Sequence, residues 1–155
     1  MLKQLSLLAL AGLSAATNVG SARVVNNCDH PVTLWSVGGD ISAAHTLAKN
    51  GGKYAEQYHR DPKTGGIALK ITLANNGIYT GAAQTIFAYT LDPNAVWYDL
   101  SSSMGDAFAG KRLTVTSSNT QCQGIVWADG RTPAGSQVKV CTPDSDTTLT
   151  LCAAK

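Results

Sequence analysis

Charge is scarce in this chain. Asp, Glu, Lys and Arg make up 14% of its 155 residues, and the formal net charge is +2. A nucleic-acid-binding surface concentrates Lys and Arg, whereas here they are scattered, so no nucleic-acid partner is expected. Glutamate is almost absent: Glu56 stands alone. Glycoside hydrolysis normally uses two carboxylates about 5–9.5 Å apart, one of them with a raised pKa. Any such pair would have to draw on Asp99, Asp106 or Asp129, and the sequence marks none. Asp129-Gly130 and Asp61-Pro62 read as turns. No Gly-x-Ser-x-Gly elbow occurs, which leaves nucleophilic catalysis without support. No Asn-x-Ser/Thr sequon occurs, so N-glycosylation is not expected. His30, His45 and His59 lack the short spacings of zinc or copper ligands, and neither a metal nor a cofactor is expected.

Long apolar runs are missing too. The longest, Leu5 to Leu13, is too short to span a bilayer and follows a single basic residue, Lys3. With small residues at Ser14-Ala15-Ala16 it reads as a signal peptide over residues 1–16, leaving Thr17 first. Cleavage after Gly20-Ser21-Ala22 is the alternative and leaves Arg23 first. Neither terminus offers the N-terminal histidine that secreted fungal copper oxygenases use. The C-terminus has no tail for a lipid anchor. The expectation is a secreted monomer of one domain, residues 17–155, extracellular or wall-associated, with no membrane partner.

What the chain does have is four cysteines, Cys28, Cys122, Cys141 and Cys152. Behind a leader, an even count reads as two disulfides formed in an oxidising compartment. One bridge is expected to tie the chain ends together. Three connectivities are open to four cysteines, and spacing does not choose among them.

The apolar pattern is that of strands. Val24-Val25 and Val32-Thr33-Leu34-Trp35 are β-branched runs, and Ala68 to Leu73 alternates apolar with polar. Asn75-Asn76-Gly77 supplies residues that tolerate positive φ, a turn signal. Further strands are expected at 85–91, 96–100, 113–117, 138–141 and 147–151, separated by Asp-Pro-Asn, Asp-Gly and Thr-Pro-Asp turns. No stretch keeps a helical period. Many short strands argue for an all-β sandwich or compact barrel.

Four segments in order carry a resemblance. Val24-Val25-Asn26-Asn27-Cys28 with Val32 to Trp35 is similar to the first strands of thaumatin-like proteins. Val96-Trp97-Tyr98-Asp99-Leu100-Ser101, then Gly105 and Phe108, resembles their D-Y-x-D-[IVL]-S…G-[FY] segment. Cys122-Gln123-Gly124 with Ala128-Asp129 resembles C-x-G…A-D, and the tail from Val138 to Cys152 resembles the closing strands. Gly65-Gly66-Ile67 and Val96 to Ser101 place the greatest similarity with the small fungal antigenic, yeast-phase-specific group. The resemblance covers nearly the whole mature chain.

The resemblance implies a compact thaumatin-like β-sandwich of short antiparallel strands without the inserted loop domain of the plant proteins. It implies the pairing Cys28–Cys152 and Cys122–Cys141. It also implies an acidic cleft, built in the family from an Arg, a Glu and several Asp. Here Ala88 stands where the Glu would be, Val96 replaces one Asp, Asp99 is retained, and Lys70 sits where the Arg would be. The inherited cleft is largely dismantled, and no catalytic residue is expected.

Recognition then falls to aromatics. Trp97 and Tyr98 are adjacent, so on a strand one faces the core and the other is free. If the exposed ring lies beside Asp99 and Tyr89, it can stack on a sugar while the carboxylate accepts from hydroxyls. The candidate ligand-binding set is Trp97, Tyr98, Asp99, Tyr89 and Lys70. Two functions remain in view. One is a non-catalytic antigen, adhesin or effector whose partner is β-glucan or a host surface protein. The other is a weak β-1,3-glucan hydrolase or antifungal-type protein.

Overall fold

The computed structural model describes residues 18–155. The expected leader, residues 1–16, lies outside them. Eleven strands and one short helix follow in the described chain. The strands are β1 Ser21–Asn26, β2 Val32–Val37, β3 His45–Leu47, β4 Gly52–Gln57 and β5 Ile67–Thr72, then β6 Gln84–Asp92 and β7 Ala95–Ser103. After these come β8 Leu113–Ser117, β9 Ile125–Trp127, β10 Lys139–Cys141 and β11 Thr147–Leu151; the helix α1 is Gly77–Thr80, between β5 and β6. No helix among the described residues is long and apolar enough to cross a membrane.

The strands form two sheets. One has five strands in the order β4-β1-β11-β8-β9, the other six in the order β10-β7-β6-β5-β2-β3. Each strand sends alternate side chains inward. In β1, Ala22, Val24 and Asn26 are buried while Arg23 faces out and Val25 is half-buried. The inner faces meet around Leu34, Leu69, Ile71, Phe87 and Leu100 of one sheet and Val24, Leu113, Val115, Leu149 and Leu151 of the other, all with no exposed surface. This is the expected two-layer all-β sandwich.

One pairing departs from the antiparallel expectation. β1 and β11 run parallel, Ala22 opposite Thr147 through Asn26 opposite Leu151. Both terminal strands therefore finish at the same end of the sandwich, and the next residues outward are joined. Cys28 is bonded to Cys152 across 124 residues. Cys122 is bonded to Cys141, which links the loop between β8 and β9 to β10 of the other sheet. These are the pairings the resemblance implies.

Asn26 fixes the first bridge. Its side-chain amide is fully buried and donates to the carbonyls of His30, Leu47 and Ala48, while its oxygen accepts from the Cys28 N–H. A buried amide with all its groups engaged holds a loop more firmly than apolar packing would.

The turn at Asn75-Asn76-Gly77 exists, but not by the expected conformation. Asn76 has φ −128° and stands at the N-cap position of α1 without a side-chain capping bond. Gly77 is required by proximity: a Cβ there would lie 2.4 Å from Thr72 Oγ1. Three strands were not expected from the pattern, β3, β4 and β9. β3 and β4 are edges of their sheets, and so is β9.

The alternative cleavage after Ala22 would cut into this frame. Gly20 N–H donates to the Pro143 carbonyl, Tyr58 N–H to the Gly20 carbonyl and Ser21 N–H to Asp146 Oδ1.

Candidate functional site

The register of the six-stranded sheet sorts the five candidate residues. Asp99 lies opposite Ala88, which lies opposite Ala68, which lies opposite Val37. Residues opposite one another share a face. One row along is Val140, Trp97 and Thr90; on the other side is Ser101, Ile86, Lys70 and Trp35. Trp97, Asp99 and Lys70 therefore share the outer face. Tyr98 and Tyr89 are opposite each other in the intervening inner row, 1% and 2% exposed. The sheet brings three of the five together and turns two into the core.

The middle of the central row on this outer face is two alanines, Ala88 and Ala68, and a trough results. Two hollows share Ala88 and Thr90. One of about 140 Å³ is bounded by Trp97, Asp99 and Val138; the other, about 380 Å³, by Gly38, Thr64, Gly66, Ala68 and Lys70. Crossing four strands, the trough runs about 14 Å at the usual strand spacing. Gly66 is needed in its floor, since a Cβ there would meet Thr90 Oγ1 at 2.7 Å.

Trp97 stands at one end, 44% exposed. Its indole N–H donates to Asp92 Oδ2 at 3.1 Å, and Asp92 Oδ1 is paired with Arg60 at 3.1 Å. The ring is thus fixed by its edge while a face stays open. Val138 and Val140 extend the apolar surface, 47% and 45% exposed. Asp99 and Lys70 take part in none of the ion pairs among the described residues. Both sides of the trough thus offer an uncommitted charge, one of each sign.

Tyr98 spends its hydroxyl on the Gln123 carbonyl, and burial raises its phenol pKa. Tyr89 donates to Glu56 Oε1 at 2.5 Å, Tyr54 donates to Glu56 Oε2 at 2.7 Å, and His59 Nδ1 lies 3.2 Å from the Tyr89 hydroxyl. Burial and then the Glu56 carboxylate push the Tyr54 and Tyr89 phenols well above the usual range. Tyr58, packed edge-on to Tyr89 at 5.0 Å, is pushed up to about 12 by burial. Glu56 is thus the centre of a cluster joining β4 of one sheet to β6 of the other.

The remaining carboxylates serve loops. Asp61 accepts from the backbone of Gly39 and Thr64, which hold it well below the usual carboxylate range. Asp106 accepts from the Thr132 N–H and hydroxyl, and its pKa is lowered, chiefly by the N–H. Asp129 caps a turn through the Arg131 N–H, followed by Gly130 at φ 68°. On the outer face the β6 residue opposite Asp99 is Ala88, and the β5 residue beyond it is Ala68; neither is a carboxylate.

A larger hollow, about 600 Å³, lies elsewhere. Val19, Leu91, Pro93 and Pro143 wall it; it shares no lining residue with the trough, though Asp92 in its wall accepts from the Trp97 indole. The trough carries the stronger case for recognition, because it joins an anchored aromatic face to free charges.

Sequence reasoning missed Asp92, Thr90 and the Gly66-Ala68-Ala88 floor. A signal was there in part: Gly66, Ala68 and Ala88 are small residues at alternate positions running into β5 and in mid-β6, where an outer face would otherwise carry bulk.

A two-sheet sandwich of this size, closed by a bridge between its end strands and bearing its trough on the outer face of the six-stranded sheet, defines a minimal thaumatin-like protein. The family model described as Bys1, Blastomyces yeast-phase-specific protein, matches residues 9–153. The chain belongs to that family. An antigenic thaumatin-like protein of Arthroderma benhamiae is 33% identical over 130 residues, covering 81% of this chain and 65% of that protein. The chain thus spans just under two thirds of that relative's length. The secreted thaumatin-like protein calA of Emericella nidulans is 27% identical over 143 residues, covering 85% of this chain and 81% of that protein. The crystal structure of the protein elicitor MoHrip2 from Magnaporthe oryzae superposes with a TM-score of 0.71 at 26% identity, covering 86% of this chain and 99% of that one.

Proposed function

We propose that this protein is secreted and binds a surface glycan, without turning it over, in the trough on the outer face of its six-stranded sheet. The observation that carries the reading is Trp97, 44% exposed and held by Asp92 at the end of a floor of Gly66, Ala68 and Ala88. A fixed indole face stacks on the apolar face of a sugar ring, and Asp99, Thr90 and Lys70 are placed to exchange hydrogen bonds with its hydroxyls. An elongated floor suits an oligosaccharide or an extended wall polymer such as β-glucan. Uncommitted charges of both signs suit a neutral polyol better than a polyanion.

The names of the relatives, antigenic, secreted and elicitor, support action outside the cell. Cleavage after Ala16 fits this, since it leaves Gly20, Ser21 and Ala22 in their hydrogen bonds. Hydrolysis would need a second carboxylate near Asp99, and the position opposite it on β6 holds Ala88, with Ala68 next on β5.

The test is a pull-down on insoluble β-glucan with laminarin turnover measured in parallel. Binding is expected in the wild type and at least tenfold weaker in Trp97→Ala with the fold intact, and no reducing sugar is expected. Equal binding by both proteins would remove the reading. Turnover that disappears in Asp99→Asn would replace it with the hydrolase.

A further inference from the structure

Trp97 ends the trough, but the hollow surface continues past it. Trp97 and Val138 also wall a further hollow of about 370 Å³, lined beyond them by Gln121, Cys122, Gln123, Lys139 and Val140. Its residues come from β10, the edge of the six-stranded sheet, with the residue before it, and from the loop between β8 and β9. From β2 to this edge the outer face crosses five strands, about 19 Å at the usual strand spacing.

The loop is held by its backbone. The Asn119 N–H donates to Ser117 Oγ, the Cys122 N–H to the Asn119 carbonyl and the Gln121 N–H to Asn119 Oδ1. Cys122 is bonded to Cys141 of β10, and the Gln123 carbonyl accepts from the Tyr98 hydroxyl. Gln121 and Gln123 are thus engaged through backbone atoms. Their side chains are exposed, and the amides have no hydrogen-bond partner among the described residues.

We propose that this loop forms a second subsite of the trough, where Gln121 and Gln123 bind hydroxyls of the sugars next to the one stacked on Trp97. The inference rests on the glycan reading of the trough and narrows its ligand to an internal stretch of a linear neutral chain. A primary amide both donates and accepts, as a sugar hydroxyl does, so the two pair without leaving a group unmatched. A loop already ordered by the frame adds little ordering cost on binding. With hollows on both sides of the indole, a chain end fills one flank and an internal stretch fills both. The Cys122–Cys141 bridge then positions a binding loop as well as joining two elements, since it fastens the loop to the strand paired with Trp97.

Calorimetric titration with soluble β-1,3-glucan oligosaccharides, from the trisaccharide to the heptasaccharide, tests this. In the wild type, affinity should rise with length by about tenfold, the scale of two added neutral hydrogen bonds, and then level off. The double variant Gln121→Ala/Gln123→Ala should keep its melting temperature and its affinity for the trisaccharide, and lose the rise. Trp97→Ala should weaken every length. Affinity that does not grow with length, or a rise that survives in the double variant, overturns the second subsite and leaves the trough reading standing. Binding that is absent at every length, or unchanged in Trp97→Ala, removes both.

Discussion

The two faces of the β6–β7 pair are built from alternate residues of the same strands, and they differ in what their polar groups do. On the inner face Tyr89 and Tyr98 are 1–2% exposed, and both hydroxyls are engaged by protein partners, Glu56 and the Gln123 carbonyl. On the outer face Asp99 and Lys70 have no ionic partner among the described residues, and Trp97 commits only its N–H. Adjacent residues in sequence thus serve opposite ends: one row closes the fold and the next remains available. The difference shows why a motif match such as Val96 to Ser101 cannot be carried over as a block. Tyr98 and Asp99 sit side by side in the motif and belong to different surfaces.

Both faces depend on the frame, so the largest effect should come from opening it. In the chain-entropy account a bridge closing 124 residues contributes on the order of 5 kcal/mol, comparable with the whole stability of a small domain. Cys28→Ser is expected to abolish secretion or folding, and inner and outer face would be lost together. A normal yield and melting temperature would show that the hydrogen bonds of Asn26 and the parallel β1–β11 pairing hold the ends without the bridge.

Truncating one face and then the other tests the comparison directly. Tyr98→Ala removes a large inner-face ring and should cost about 3–5 kcal/mol. Trp97→Ala, one residue earlier, should cost under about 1 kcal/mol in stability, while losing glycan retention. Chemical denaturation of the two variants measures the contrast, and similar losses for both would end the division of labour. Tyr98→Phe refines it by removing only the hydroxyl. The expected loss is about 1–2 kcal/mol, because the Gln123 carbonyl is left without that donor. A neutral result would mean that water replaces it.

Much of this architecture was legible beforehand. The strands in mid-sheet, β1, β2, β5 to β8 and β11, carry β-branched or alternating runs because both neighbours and one face demand them. β3, β4 and β9 are edges, and an edge strand needs less. β4 reads Gly-Lys-Tyr-Ala-Glu-Gln, with a polar residue at one of its inward positions, because Glu56 finds partners across the sheets. No local pattern reports a partner 33 residues away. The candidate site was half legible for the same reason. Strand alternation predicts that Trp97 and Tyr98 separate. It does not say which of them goes inward, and that depends on the register with Tyr89 and Lys139.

The smallest effect should come from the far end of the trough and appear only in a window of pH. Asp61 accepts from the N–H groups of Gly39, Thr64 and Lys63 and from the Thr64 hydroxyl, shaping the loop whose Gly38 and Thr64 border the trough. Those donors favour its charged form, so its folded pKa lies below its unfolded value of about 3.9. A depressed carboxylate adds stability that is fully present above the unfolded pKa and disappears as pH falls through the folded one. Asp61→Asn should therefore melt slightly below the wild type at pH 7, and the gap should narrow as pH falls from about 4 toward 2. The inner face should behave otherwise. The Tyr98 phenol, with an ordinary pKa of about 10 that burial only raises further, is neutral throughout that range, so the gap between wild type and Tyr98→Phe should not change with acid. Parallel melting series for the two variants give the readout. A gap for Asp61→Asn that persists undiminished at pH 2 would mean that the loop depends on the shape of the side chain rather than its charge.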